Sequence, residues 1–345
     1  MEMRFLGQSG LQVSTLAFGT ATFGGVGSYS NLGETNNVAE ARKLIEICLE
    51  AGVTLFDTAD AYSNGRSEEL FGKAIQGYRD RVLISTKVFG QMGSGANDLG
   101  LSRTHIIQAC EDSLRRLDTD HIDLYQAHEY DAFTPMEETI SAFDQLIQSG
   151  KVRYIGSSNF SGWQLMKALA ISDRFGYQRL ISQQVNYSLV ARDLELELIP
   201  LALDQKIGTI VWSPLGGGLL TGKFRRGQPK PVGTRRASID DLVFNLSQEK
   251  MDAIIDVLCD VAEKRGVSPS QVGLNWLLRR PGVTSVIIGA RNEQQLRENL
   301  KTNSWQLTDE EMIRLNEVSK TPLGYPYWHQ EMYGVPRNFR IPDFI

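Results

Sequence analysis

The sequence predicts an α/β chain closed into one (β/α)8 barrel of the TIM type, and three observations carry that expectation. Eight strand-like runs recur along the 345 residues, segments with helical periodicity separate them, and four of the runs end in chemically reactive polar residues. Strands alternating with helices imply parallel pairing through right-handed crossovers. Eight such units point to a closed barrel more than to an open sheet.

The runs are Leu16–Thr20, Thr54–Thr58, Val82–Lys87, Ile122–His128, Val152–Ser157, Leu180–Val185, Gly208–Ser213 and Val283–Gly289. Between them, Val38–Glu50 sets Leu44, Ile45, Ile47, Cys48 and Leu49 on one helical stripe, and Thr104–Leu117 does the same with Ile106, Ile107, Cys110, Leu114 and Leu117. Met136–Gln148, Gly162–Phe175 and Leu194–Gln205 follow the same period, and helices near Glu249–Arg265 and Ser270–Arg280 precede the last strand. Three stretches depart from the repeated unit. Arg4–Leu6 and Gln12–Thr15 flank Gly7-Gln8-Ser9-Gly10, a hairpin signal expected to cap the amino-terminal mouth. Pro214–Ser247, rich in Gly, Pro and Arg, reads as a long loop over the opposite mouth. Thr321–Ile345, with Tyr325, Tyr327, Trp328, Tyr333 and Phe339 among prolines, reads as an aromatic, non-helical tail. No internal repeat or linker divides the chain, so residues 1–345 are expected to form a single domain.

Composition narrows the function classes. With 41% hydrophobic and 22% charged residues the chain falls among ordinary soluble proteins. The formal net charge of -5 and the lack of a long basic tract argue against a nucleic-acid or anionic-membrane partner. The start, MEMRFLGQSG, lacks the apolar core of a signal peptide, and no apolar run is long enough to span a bilayer, so a cytoplasmic location is expected. Cys48, Cys110 and Cys259 lie far apart in helix-like patterns and read as small buried hydrophobes of a reduced compartment. His105, His121, His128 and His329 show no zinc-type spacing, so no metal site is expected. Two nucleotide signatures fail. Gly217-xxxx-Gly222-Lys223 nearly matches a P-loop, but Phe224 stands where a magnesium-binding hydroxyl belongs, and no G-x-G-x-x-G run follows a strand and opens a helix.

The polar residues at the strand ends form a more specific pattern. LFDTADAY, ISTKV and LYQAH bring Asp57, Tyr62, Lys87 and His128 to the carboxyl ends of three successive strands, where barrel chemistry is done. A lone Tyr there is usually packing and a lone Asp often caps a turn; four such groups on consecutive strands look like a proton relay. A phenol, with an ordinary pKa of about 10, holds its proton at neutral pH, and a nearby ammonium lowers that value toward the working range. Lys87 is placed to supply the ammonium, Asp57 to keep it charged and oriented, and His128 to aim a carbonyl oxygen at Tyr62.

With these residues in view, the chain resembles the aldo-keto reductases over nearly its full length. FDTADAY is similar to the family's Asp-x-x-x-x-Tyr segment, STKV to its Lys, LYQAH to its His strand, GSSNF to its Ser-Asn pair, SQQVNY to its Gln, and VWSPLGGGLLTGKF to its cofactor-clasping strand and loop. The resemblance implies that Tyr62 is the general acid, Lys87 its tuner, Asp57 the partner of Lys87 and His128 the carbonyl orienter. It also implies a nicotinamide cofactor: Ser158, Asn159 and Gln184 at the carboxamide, Trp212 stacked on the ring, Gly19 and Thr20 beneath it, and Ser213, Pro214, Leu215, Gly217 and Lys223 along the pyrophosphate. At the adenosine end it implies Glu298 and Asn299 at adenine and Gln295 near the 2′-phosphate. Gly289 stands where family members carry a Lys, and Arg291, with its planar fork, is the residue expected to compensate. NADPH is therefore expected in preference to NADH.

The expected reaction is reduction of an aldehyde or ketone to an alcohol, reversible with the same groups. Phe23, Tyr29, Phe89 and Tyr130 are the candidate substrate walls. Two other readings compete. GARNEQQLRENL and the overall layout also resemble the β subunits of voltage-gated potassium channels, which implies a nucleotide-binding regulatory subunit as the alternative. A barrel hydrolase would need a second carboxylate facing Asp57, and none is evident. Oligomeric state is not written in the sequence.

Overall fold

The computed structural model describes residues 1–27, 35–227, 244 and 246–334. β1 (Met3–Phe5) and β2 (Gln12–Ser14) pair antiparallel, with Met3 opposite Ser14. Then come β3 (Leu16–Gly19), β4 (Leu55–Asp57), β5 (Leu83–Val88), β6 (Ile122–Ala127), β7 (Val152–Ser158), β8 (Ser182–Asn186), β9 (Gly208–Trp212) and β10 (Val283–Ile288). These eight pair in parallel in sequence order, and β10 returns to β3 to close the barrel. The eight runs read from the sequence are these strands. The boundaries differ by a residue or two, most for β8, which starts at Ser182 rather than Leu180.

Alternation along the strands sorts two cores. Ala17, Leu55, Leu124, Ile210 and Ile287 point into the barrel and meet Leu6 and Val13 of the hairpin, which plugs the amino-terminal mouth as the sequence predicts. Gly7 makes this plug possible: at φ 62° a Cβ there would lie 2.4 Å from the Ile181 carbonyl oxygen. The larger core lies between the strands and the helical ring.

The ring comprises α1 (Val38–Glu50), α2 (Arg66–Ala74), α3 (Arg103–Leu117), α4 (Met136–Gln148), α5 (Gly162–Phe175), α6 (Leu198–Gln205), α7 (Gln248–Arg265), α8 (Pro269–Leu278), α9 (Glu293–Leu300) and α10 (Asp309–Ser319). Side-chain caps start several of them: Asn37 for α1, Ser102 for α3, Ser247 for α7 and Thr308 for α10. The expected helix from Leu194 is shorter: a 3₁₀ turn spans Asp193–Leu196, the chain breaks at Glu197, and α6 follows. The tail also departs from expectation, because α11 (Tyr327–Gly334) is helical. Its proline, Pro326, stands just before the helix, where no backbone N–H is needed, and no proline follows within it. Of the long loop after β9, a 3₁₀ segment covers Gly216–Thr221, and most of residues 228–245 fall outside the described residues.

Candidate active site

The barrel register sets the first pair of groups. Asp57 ends β4, opposite Ser85 on β5, and Lys87 lies two residues further along the same face. Lys87 is fully buried, and its Nζ donates to Asp57 Oδ2 at 2.6 Å, to the Thr58 carbonyl oxygen at 2.7 Å and to Tyr62 OH at 3.1 Å. Those contacts use every N–H of an ammonium. Burial presses the Lys87 pKa down, but the Asp57 carboxylate and the Tyr62 phenol outweigh it and hold the group above its ordinary value, hence charged. Asp57 Oδ1 accepts from Ser85 Oγ at 3.0 Å and from Gln184 Nε2 at 2.8 Å.

Tyr62 opens a 3₁₀ turn, Tyr62–Gly65, in which Ser63, Asn64 and Gly65 take φ of 51°, 55° and 87°. Left-handed Ser and Asn are strained, and such geometry persists where surroundings over-determine it. Here Ser63 Oγ donates to the Phe23 carbonyl oxygen at 2.9 Å. His128 follows β6 and meets the Tyr62 ring edge-on, with centroids 5.7 Å apart. Its pKa is pushed down to about 3, first by burial and then by the Lys87 charge. The imidazole is therefore neutral at physiological pH, able to donate a hydrogen bond without taking up a proton.

The neighbouring strand ends hold the residues expected at a cofactor. Asn159, at φ 56°, accepts from Trp212 Nε1 at 3.0 Å and donates to the His128 carbonyl oxygen at 3.1 Å and Glu129 Oε1 at 2.7 Å. Ser158 Oγ is buried with no hydrogen-bond partner among the described residues. After Trp212 and Pro214 the chain turns through Gly216, Gly217 and Gly218 at φ 58°, 64° and 97°, while Gly217 N donates to Ser213 Oγ at 3.2 Å and Leu215 packs partly buried beside them. A Cβ on Gly218 or Gly289 would meet nothing within 4 Å, so both backbones face open space that a bulky group can approach. Lys223 is exposed. Past β10, Arg291 N donates to Gln295 Oε1 at 3.1 Å, Asn299 Nδ2 to the Gly289 carbonyl oxygen at 3.3 Å, and Glu298 accepts from Gln271 at 2.6 Å. An unpartnered buried hydroxyl, an indole at a strand end and an open glycine turn fit a nicotinamide dinucleotide.

The other expected residues make contacts within the fold. Gln184 reaches Asp57 across the barrel. Thr20 is fully buried, its N–H donating to the Asp57 carbonyl oxygen at 2.8 Å and its hydroxyl 2.9 Å from Ser67 Oγ, while Gly19 packs against Ile287. Phe23 is fully buried against Phe18, whereas Phe89 and Tyr130 are half-buried. Tyr29 lies outside the described residues.

Three supporting residues escaped the sequence reading. Ser85 and Gln126 form a relay, Gln126 Nε2 to Ser85 Oγ at 2.9 Å and on to Asp57. Both stand two positions before a singled-out residue, so period-two alternation from Lys87 and His128 points to them. Asp60 is fully buried: Oδ1 accepts from Ala61 N at 2.6 Å, its own N–H donates to the Lys87 carbonyl oxygen, and Oδ2 has no partner among the described residues.

The model of the aldo/keto reductase family matches residues 15–320. The chain is 38% identical over 335 residues to a protein described as "Uncharacterized oxidoreductase YrpG" from Bacillus subtilis, covering 94% of this chain and 98% of that one. It is 38% identical over 316 residues to a "Probable voltage-gated potassium channel subunit beta" from Arabidopsis thaliana, covering 87% and 90%. It is 36% identical over 337 residues to the versiconal hemiacetal acetate reductase of Aspergillus parasiticus, covering 92% and 96%. With a family match from β3 to α10 and relatives that are oxidoreductases across almost the whole length, the chain belongs to the aldo/keto reductase family and is an oxidoreductase.

Proposed function

We propose that this oxidoreductase uses NADPH to reduce an aldehyde or ketone, with Tyr62 as proton donor. The observation that carries the reading is the buried ammonium of Lys87, which touches both Asp57 and the Tyr62 hydroxyl. A bound nicotinamide dinucleotide would supply the hydride that the carbonyl carbon accepts. Ser158, Asn159 and Trp212 would hold its ring, Gly217, Gly218 and Lys223 its pyrophosphate, and Arg291 a 2′-phosphate.

The chain's own residues then have distinct tasks. Neutral His128 donates a hydrogen bond to the carbonyl oxygen and points it at Tyr62. Tyr62 passes its hydroxyl proton to that oxygen as the C–H bond forms, and Lys87 stabilises the phenolate left behind. Asp57 keeps Lys87 charged and aimed. In alcohol oxidation the same groups run in reverse. Phe89 and Tyr130 are the proposed pocket walls, and the fully buried Phe23 is left to the core. No helix among the described residues is long and apolar enough to cross a membrane, and the three cysteines are free and buried, which supports a cytoplasmic setting.

The test is NADPH oxidation over a panel of aldehydes and ketones by wild type and Tyr62→Phe, with cofactor binding titrated separately. The expected result is a loss of at least about a hundredfold in kcat with the NADPH Kd retained. Equal affinity for NADH in the same titration would remove the 2′-phosphate role of Arg291. Relatives described as potassium channel β subunits favour a second reading, a regulatory nucleotide-binding subunit. Tight NADPH binding without turnover in either protein would support it.

A further inference from the structure

Charge is divided between the two sides of the mouth. Residues 213–227 carry Lys223, Arg225 and Arg226 with no acid, and the turn after β10 adds Arg291. In the loops after β5, β6 and β7 the charged residues are Asp98, Glu129 and Asp131, with no Lys or Arg. The basic side suits the phosphates of a dinucleotide. The acidic side is where substrate must lie if Tyr62 and His128 meet the carbonyl.

These acids are not equivalent. Asp98 is engaged by Gly95 N, and Asp131 by the N–H groups of Leu101, Phe133 and Thr134 and the Thr134 hydroxyl. Both are spent on holding their loops. Glu129 is exposed, directly follows His128, and commits one oxygen to Asn159, whose amide also meets Trp212. Its other oxygen makes no hydrogen bond or ion pair among the described residues, so its charge is not cancelled locally. Aromatic rings stand on the same loop and the one after β7: Tyr130, next in sequence, packs edge-on against Phe160 at 5.7 Å and Trp163 at 5.8 Å, and Phe133 is 98% exposed. Ring faces attract cations as a carboxylate does.

We infer that Glu129 is a specificity-determining residue at the rim, favouring carbonyl substrates that carry a cationic group and disfavouring those that carry a carboxylate or phosphate. The inference rests on the reductase reading above. A charge several ångströms beyond the carbonyl falls within the Debye length of a carboxylate at the rim, and field complementarity of this kind acts mainly on selectivity.

The test measures kcat/KM with NADPH for three para-substituted benzaldehydes: trimethylammonio, nitro and carboxylate. Wild type is compared with Glu129→Gln, which preserves an oxygen for Asn159, and with Glu129→Lys. Each substrate is compared with itself across the variants, and the nitro compound is the reference, so substituent electronics cancel. Glu129→Gln is expected to lower the cationic-to-anionic ratio by about tenfold, Glu129→Lys to lower it further, and added salt to compress the wild-type ratio. A ratio unchanged in both variants would overturn the inference while leaving the reductase reading intact. Wild-type protein that turned over none of the three would count against the reductase reading and this inference together.

Discussion

Gln184 Nε2 donates to Asp57 Oδ1 at 2.8 Å, joining strands on opposite sides of the barrel. Sequence resemblance assigns Gln184 to the nicotinamide carboxamide; its side-chain amide also braces the carboxylate that aims Lys87. Asp57 is held on every side, by Lys87 on one oxygen and by Ser85 and Gln184 on the other. These three donors stand in for the water hydrogen bonds that a carboxylate gives up on burial.

Replacing Gln184 with Leu keeps the volume and removes the donor. Unfolding free energy is expected to fall by about 1–3 kcal/mol, with a reduced kcat, since Asp57 would keep only Ser85 on that oxygen. Urea denaturation and steady-state kinetics check it. A rise in cofactor KM at unchanged stability and kcat would instead assign Gln184 to the carboxamide.

Asp60 should give stability a pH dependence that spans the acid-to-neutral range. Burial, and then the Glu68 charge, push its pKa up to about 8, against the pull of Ala61 N, Arg116 and Lys87. The unfolded chain ionises this group near about 4. Between those values the folded protein holds the extra proton, so this contribution to stability declines as pH rises from about 4 to about 8. Asp60→Asn removes the slope and keeps an acceptor for Ala61. Its urea midpoint relative to wild type is expected to rise between pH 5 and pH 9; a difference that stays flat would mean that Asp60 is ionised in the folded protein throughout.

Ser158 separates binding from folding. Its buried hydroxyl finds no partner among the described residues. Ser158→Ala is therefore expected to leave the cofactor-free protein as stable as wild type or up to about 1–2 kcal/mol more so. The same change is expected to weaken NADPH binding about tenfold if the hydroxyl meets the carboxamide. Thermal melts without cofactor and a fluorescence titration with it read the two effects separately. A clear loss of stability would show that the hydroxyl serves the fold.

The sequence by itself determined the barrel and the residues at its mouth. Eight short apolar runs, separated by segments with helical stripes such as Val38–Glu50 and Thr104–Leu117, leave few other ways to bury both faces of every strand. Asp57, Tyr62, Lys87 and His128 stood out because polar residues at the ends of apolar strands conflict with local burial. The tertiary structure decided what each group touches. That Gln184 crosses to Asp57, that Ser85 and Gln126 form a relay, that Phe23 turns into the core and that Glu129 keeps one oxygen uncommitted all depend on barrel closure, which brings together residues as far apart as 57 and 184. Periodicity says which face a side chain takes. Only the register and stagger of a closed sheet say which partner waits there.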